Sequence, residues 1–365
     1  MGKETMEAHI HVEIRKLVEL LREDLGQETC LKHKMNIPIL NSLWTLITGE
    51  KMEYDDPKLI TIIKKIDKMM TSVASVGPIN LFSWLKYIAP DLSNYSTIME
   101  SSRGVYDMVE EQYQDHVKTF QADSPRDLMD VFIAEMKEAR DPNSAFFGEK
   151  GRKNLDVTVG DLFTAGSDTT TLTLNWLIYY LSLHPEIQVR AQAELDTVVG
   201  RSRLAQLKDR PNMPYMEAIV QEVNRMAALG YTGVPRATTK DTQIGGYDIP
   251  AGTQVWVFLY HILRDPSYWT DADTFNPDRF LEPSNPADPK SKPQVRQDPR
   301  SVPFGMGKRM CLGRTLAMSE LFLFGCALFQ NFRFELTESE KGKRMDHIPG
   351  FVLGCPKYNV VIHER

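Results

Sequence analysis

The 365-residue chain is poor in cysteine, with only four: Cys30, Cys311, Cys326 and Cys355. No two of them show CxxC spacing, which excludes a zinc ribbon and a thioredoxin-type motif, and four scattered thiols do not make a disulfide framework. Long hydrophobic runs are absent. The densest, residues 321–329, falls well short of the roughly 18 residues a membrane span needs. The opening MGKETMEAHIHVEIRK is polar and carries acids, unlike a secretory signal or transit peptide. Met6 stands where a myristoylation pattern has Ser or Thr. Positive charge is not in excess: 43 Lys and Arg against 49 Asp and Glu leave a net −6, which argues against non-specific nucleic-acid binding. Gly (22) and Pro (21) are too few for a collagen-like or low-complexity chain. What remains is a globular composition, 42% hydrophobic and 25% charged, with a length that fits one large domain or two ordinary ones. No repeat and no linker divides it.

Apolar residues recur at helical spacing through much of the first half. Ile14, Leu17, Val18, Leu20 and Leu21 do so before Gly26, and residues 59–70, 108–120 and 127–139 follow. Gly77-Pro78 interrupts the pattern. The INLFSWLKYIAPDL after it is apolar without a period, so it reads as a hydrophobic connection between helices, with 81–88 as a candidate membrane contact. A long helix is predicted over 157–183. It stops at His184-Pro185, because Pro disfavours helix in the residue before it. At 1.5 Å per residue it would run for about 40 Å. Its middle, Ala165-Gly166-Ser167-Asp168-Thr169-Thr170-Thr171, is rich in poor helix formers, and local rules broken inside a strong element point to function. Helices are predicted over 186–199 and 214–228, then strand-like pieces over 238–244, 247–249 and 254–259. Residues 265–303 are crowded with Asp, Pro, Asn and Ser, an irregular stretch of a length that compact domains keep for function. A helix over 312–332 and weak strands close the chain.

The sharpest signal is Phe304-Gly305-Met306-Gly307-Lys308-Arg309-Met310-Cys311-Leu312-Gly313. Glycines let backbone amides approach a sulfur, the helix start that follows favours an anion, and Arg309 adds positive charge. Together these favour a thiolate. With no activating His nearby, Cys311 reads as a metal ligand rather than a nucleophile. Glu222 and Arg225 are three apart on one helix face and can pair. His9 and His11 are two apart on a predicted helix and share no face, so they are not a metal pair. Asn94-Tyr95-Ser96 is a glycosylation acceptor only in a secreted context and is expected to be empty.

The Cys311 segment closely resembles the haem loop of the cytochromes P450, Phe-x-x-Gly-x-Arg-x-Cys-x-Gly, which Phe304, Gly307, Arg309, Cys311 and Gly313 match position for position. Three further family motifs occur in order. Ala165-Gly166-Ser167-Asp168-Thr169 is similar to the Ala-Gly-x-(Asp/Glu)-Thr of the family's helix I. Glu222-Val223-Asn224-Arg225 is similar to the Glu-x-x-Arg of helix K. Phe275-Asn276-Pro277-Asp278-Arg279-Phe280 is similar to the Pro-x-Arg-Phe meander, which implies Arg279 as a third member of a Glu222–Arg225 network that fixes the Cys311 loop. The HPEIQ and YDIPAGTQV stretches resemble the microsomal, animal-type branch, its drug- and steroid-metabolising clan above all.

The resemblance implies a mainly α fold with small β-sheets and a single partial catalytic domain over 1–365. Helix I would lie at about 157–183, helix K at 214–228, the meander and haem loop at 265–313, and helix L at 312–332. It implies haem b with Cys311 as axial thiolate, Phe304, Gly307 and Gly313 shaping its loop, and Arg309 and Arg236 at the propionates. Asp168 and Thr169 would be the catalytic pair, with Gly166 leaving a groove for dioxygen, Thr169 bonding the oxygen and Asp168 feeding protons. Ala165, Gly230, Thr232, Gly233, Val234, Phe351 and Val352 match segments that line the substrate pocket; Tyr231 stands where the family often has Pro. The implied reaction inserts one oxygen atom of O2 into an apolar small molecule. Electrons would come from NADPH through NADPH–cytochrome P450 reductase, with cytochrome b5 as a second partner. Two alternatives are a reductase-independent haem-thiolate isomerase, whose branches tend to lose the acid–Thr pair kept here, and a truncated, non-catalytic fragment. The match begins just after the family's helix C. The membrane anchor, helices A to C, the first sheet strands and a Trp-x-x-x-Arg motif find no counterpart, so poor haem binding is expected of the chain as given. A full-length parent would sit on the cytosolic face of the endoplasmic reticulum membrane.

Overall fold

The computed structural model describes residues 3–70, 82, 84–93, 95–282, 293–343 and 345–365. Helix α1 (Lys3–Arg22) buries Ile10, Ile14, Leu17 and Leu21, the stripe its sequence spacing predicts. Helix α2 (Lys32–Thr48) was not singled out by periodicity. It carries Pro38 inside and buries residues on every side, Asn36, Ile39, Asn41 and Trp44 among them, so it has no one-sided stripe to read. Next come α3 (Pro57–Met70), the single turn α4 (Leu85–Ile88), α5 (Tyr95–Thr119) and α6 (Leu128–Glu138). The last is capped by Asp127, whose carboxylate accepts from Asp130 N–H. Gly77-Pro78, Leu81 and Asn94 lie outside the described residues, so the hydrophobic connection is described only in part and the glycosylation acceptor not at all.

Helix α7 (Gly148–Leu183) has 36 residues and starts at Gly148 rather than at 157. Of the early turns, residues 148–159, only Gly151, Leu155 and Val159 are buried, and their four-residue spacing turns one narrow face to the core. It ends where Pro185 requires. Helices α8 (Pro185–Val198) and α9 (Pro214–Ala227), the short α10 (Leu259–Leu263) and α11 (Arg314–Asn331) complete the body. Helix α9 stops one residue short of its predicted end because Ala228 is left-handed, φ 43°. Helix α11 is buried without a break from Ser319 to Gln330 and packs against α1, α7, α8 and α9.

The strands are short: β1 (Glu28–Thr29), β2 (Arg236–Ala237), β3 (Thr242–Ile244), β4 (Tyr247–Ile249), β5 (Gln254–Val255), β6 (Leu281–Glu282), β7 (Gln294–Val295), β8 (Phe332–Leu336) and β9 (Val360–Glu364). They pair antiparallel as β1-β9-β8, β2-β5, β3-β4 and β6-β7. The strand expected over 254–259 ends at Val255, and Leu259 and Leu263 then bury as one helical face of α10. The architecture is the mainly α, small-sheet fold expected, and one apolar core runs from α1 to β9.

Candidate functional site

The candidate residues fall in three places: the α9 ion network, the Cys311 loop and the middle of α7. The first is an ion network on α9. Glu222 and Arg225 are both fully buried and pair through two hydrogen bonds, Arg225 Nε to Glu222 Oε2 at 2.7 Å and Nη2 to Oε1 at 2.9 Å. Arg279 Nε reaches the same Oε1 at 3.0 Å, and the Asn276 amide donates to it at 2.9 Å. The remaining guanidinium donors go to main-chain oxygens, Arg225 Nη1 to Leu263 O and Ala272 O, Arg279 Nη1 to Thr270 O. Buried charge is tolerable only with partners on every side. Here that requirement holds residues 263–280 against α9.

The second element is the loop itself. Gly305 (φ 69°) and Gly307 (φ 71°) are left-handed, which favours glycine. The Cys311 amide donates to Phe304 O at 2.9 Å and the Met310 amide to Gly307 O at 3.1 Å, so the loop closes on its own backbone. The expected convergence of amides on the sulfur is not seen: among the described residues nothing hydrogen-bonds Cys311 Sγ, and the Gly305, Met310 and Cys311 amides donate to Val302 O, Gly307 O and Phe304 O instead. The side chain is exposed at the start of α11, one turn of whose N–H groups is free of a side-chain cap. A cleft of about 760 Å³ opens beside it, and Phe304, Gly307 and Cys311 all line it. Asp168, Thr169 and Arg236 do not. Arg236, on β2, and Arg309 are exposed, and among the described residues neither forms an ion pair or a side-chain hydrogen bond.

The third element is the middle of α7. Thr169 Oγ1 donates to Ala165 O, one turn back, at 2.9 Å, and Ala165 is exposed. Asp168 points elsewhere: it is 3% exposed and neither carboxylate oxygen has a partner. Burial pushes its pKa up to about 6, with Lys32 working against the shift and Asp67 adding to it. Gly166 corrects a second expectation. A Cβ there would meet Leu43 Cδ2 at 2.3 Å, so its missing side chain admits α2 rather than leaving a groove for a ligand.

A sequence model of the family described as Cytochrome P450 matches residues 1–362. The chain belongs to the cytochrome P450 family. It is 35% identical over 344 residues to human "Cytochrome P450 2J2", covering 93% of this chain and 66% of that one. Mouse "Cytochrome P450 2A12" is 31% identical over 364 residues, 99% of this chain and 71% of that one. "Farnesoate epoxidase" of Bombyx mori is 28% identical over 361 residues, 99% and 70%. The chain thus spans about two thirds of the length of the curated relatives it matches.

In this cytochrome P450 chain, two of the segments that the family resemblance assigns to a pocket wall meet, the Leu353 amide on Leu229 O at 2.9 Å and the Tyr231 hydroxyl on Gly350 O at 3.0 Å. Gly230 sits by Pro303 O, 3.9 Å from where its Cβ would be, so the 230–234 strip abuts the start of the haem loop. Thr232 and Val352 are buried, Gly233 is half-buried, and Val234 and Phe351 are exposed. Sequence reading missed Glu320. It lies on α11, is 3% exposed, accepts from Thr170 Oγ1 at 3.3 Å and leaves Oε1 without a partner. Its only sequence signal was a lone acid at the edge of the 321–329 apolar run. Also missed was a buried His116–Asp127–Asp130 cluster. His116 bonds Asp127 at 2.9 Å and Gln112 O at 2.7 Å, while Arg126 covers Asp130. A guanidinium already holds the place a cation would take, so this is a tie between α5 and α6. His11 contacts Ala205 O at 2.8 Å. Among the described residues no helix is long and apolar enough to cross a membrane.

Proposed function

We propose that this chain holds haem b between the Cys311 loop and α7 and is the core of a monooxygenase acting on apolar small molecules. The observation that carries the proposal is Cys311, an exposed thiol in a glycine-turned loop at a helix start. The other residues fit the group. Arg309 and Arg236 are uncommitted guanidinium groups suited to carboxylates, and Asp168 is a buried acid with no protein partner. When bound, haem ligated by a thiolate supplies the electron push that favours O–O cleavage.

The protein's part is ligation, orientation and proton handling. Cys311 offers the ligand, and the α11 N-terminus steadies its negative charge. Arg309 and Arg236 bind the propionates. Phe304, Gly307 and Gly313 shape the loop, and the Glu222–Arg225–Arg279 network fixes what lies behind it. The Thr169 hydroxyl, parked on Ala165 O, is a donor that can rotate toward the pocket. Asp168, with a pKa moved toward neutrality by burial, holds and releases a proton near pH 6. Ala165, Gly230, Thr232, Gly233, Val234, Phe351 and Val352 line the apolar pocket.

Electrons come from NADPH through NADPH–cytochrome P450 reductase, with cytochrome b5 as a second donor. A longer parent chain would sit on the cytosolic face of the endoplasmic reticulum membrane. Exposed Phe82, Trp84, Tyr87 and Ile88 support membrane contact there.

The test is turnover of an apolar substrate by the haem-loaded chain with reductase and NADPH under 18O2. One labelled oxygen atom in the product, with NADPH consumed, is expected. Rearrangement without NADPH would favour the isomerase. Full haem content without turnover would favour the non-catalytic fragment.

A further inference from the structure

Three stretches far apart in sequence meet beside the 230–234 strip. Residues 348–354 form a closed turn: the Ile348 amide donates to Gly354 O at 3.0 Å, and the Gly354 amide returns to Ile348 O at 2.8 Å. The tip of that turn is held from outside at three points. The Phe351 and Val352 amides donate to Met70 O, at the end of α3, across 2.7 and 3.4 Å, and the Leu353 amide donates to Leu229 O across 2.9 Å. The third point is a side chain, Tyr231, whose hydroxyl donates to Gly350 O across 3.0 Å. Its own carbonyl is fixed by the Tyr260 amide at 3.1 Å. The backbone contacts at Met70 and Leu229 would survive almost any residue at these positions. The third requires a hydroxyl on a long, rigid side chain at position 231. Each clasped segment also carries an exposed apolar side chain, Val234 on one and Phe351 on the other, 71% and 41% exposed.

We propose that Tyr231 is a positioning residue whose hydroxyl clasps the 348–354 turn to the 230–234 strip and so sets which apolar ligands the wall between Val234 and Phe351 accepts. The proposal rests on the reading of those two segments as pocket walls. Without the hydroxyl, the turn keeps its bonds to Met70 and Leu229 and pivots about them, while Gly350 O turns to water. Ligands that touch only the haem iron do not sense this. Ligands that lean on the wall do.

The test is Tyr231→Phe, which keeps the ring and removes only the hydroxyl. The haem-loaded chain and its variant are titrated with imidazole and with 4-phenylimidazole, followed in the Soret band. Hydrogen exchange is measured at residues 350–353. The expected result is an imidazole Kd unchanged within about twofold, a 4-phenylimidazole Kd weakened about 3- to 10-fold, the scale of one lost hydrogen bond, and faster exchange at 350–353. A general loss of stability would not change the ratio of the two affinities, so an unchanged ratio overturns the proposal. If neither ligand moves the Soret band of the unsubstituted chain, the haem reading has failed, and exchange alone decides the clasp: equal protection at 350–353 in both proteins overturns it.

Discussion

The Thr170 hydroxyl donates to the Glu320 carboxyl across 3.3 Å, joining the helix that carries Asp168 and Thr169 to the helix that begins just after Cys311. Glu320 is deep in apolar surroundings, and burial pushes its pKa up to about 8, with the Thr170 bond pulling weakly the other way. The folded protein therefore keeps a proton that the unfolded chain releases near 4.5. Stability falls as pH rises between those two values. Glu320→Gln removes the titration and keeps the shape. It should match the parent at pH 4 and exceed it by about 3–5 kcal/mol at pH 8, the size of such a shift. Urea unfolding at pH 4, 6 and 8 reads this directly; an equal loss of stability at all three would contradict it.

Asp168 makes a sharper distinction, because its stability and its work pull in opposite directions. Its carboxylate is buried without a partner and its pKa is raised from 3.8 to about 6. The cost of ionising it is fully present at pH 7 and vanishes as pH falls below 3.8. Asp168→Asn should therefore stabilise the protein at pH 7 by about 2–3 kcal/mol. Turnover should fall by about 10²–10⁴, the usual weight of a positioned acid. Thermal unfolding and coupled NADPH oxidation on the same preparation check both. A variant that is stabilised and fully active would remove Asp168 from the proton route.

The close approach of α2 to α7 gives a steric prediction. Gly166→Ala places a Cβ 2.3 Å from Leu43 Cδ2, so the helices must part or Leu43 must leave its rotamer. Leu43 Cδ2 is the tip of a flexible side chain that can turn aside, so the loss should lie near or below about 1 kcal/mol, the low end of overpacking costs. Gly166→Ala with Leu43→Ala should recover part of the loss, and a double-mutant cycle measures the coupling. Additive losses would show that the two do not meet.

The α9 network predicts unequal losses from its members. Glu222→Gln strands Arg225, which has no exposed surface, and removal of one member of a buried pair costs about 3–5 kcal/mol. Arg279→Gln should cost less. Arg279 is partly exposed (9%), and Arg225 still neutralises Glu222 after it is gone. Chemical denaturation of the two variants orders them; a larger loss at Arg279 would contradict the assigned hierarchy.

What the sequence made legible was chemistry at fixed short spacing. Cys311 with its glycines, Glu222 with Arg225, and the stop of α7 before Pro185 all lie within a few residues of their partners. Arg279 was placed with Glu222 only through the family resemblance, since 57 positions separate them. Helix α2 escaped because a helix buried all round has no stripe, and the early turns of α7 because only a narrow face is apolar. Glu320 escaped because a lone acid beside an apolar run gives no hint of its hydroxyl partner 150 positions away. The Tyr231–Gly350 contact, across 119 positions, is likewise a product of the fold alone. The groove at Gly166 was misread because a motif names residue types without saying which helix each one faces.

Ligation of haem by Cys311 decides the proposed function. The most direct measurement is the carbon monoxide difference spectrum of the reduced 365-residue chain, reconstituted with excess haem beside a Cys311→Ser control. A red-shifted, thiolate-type Soret band in the first and its loss in the second are expected. The same band in both proteins, or an unshifted band in the unsubstituted chain, would contradict it.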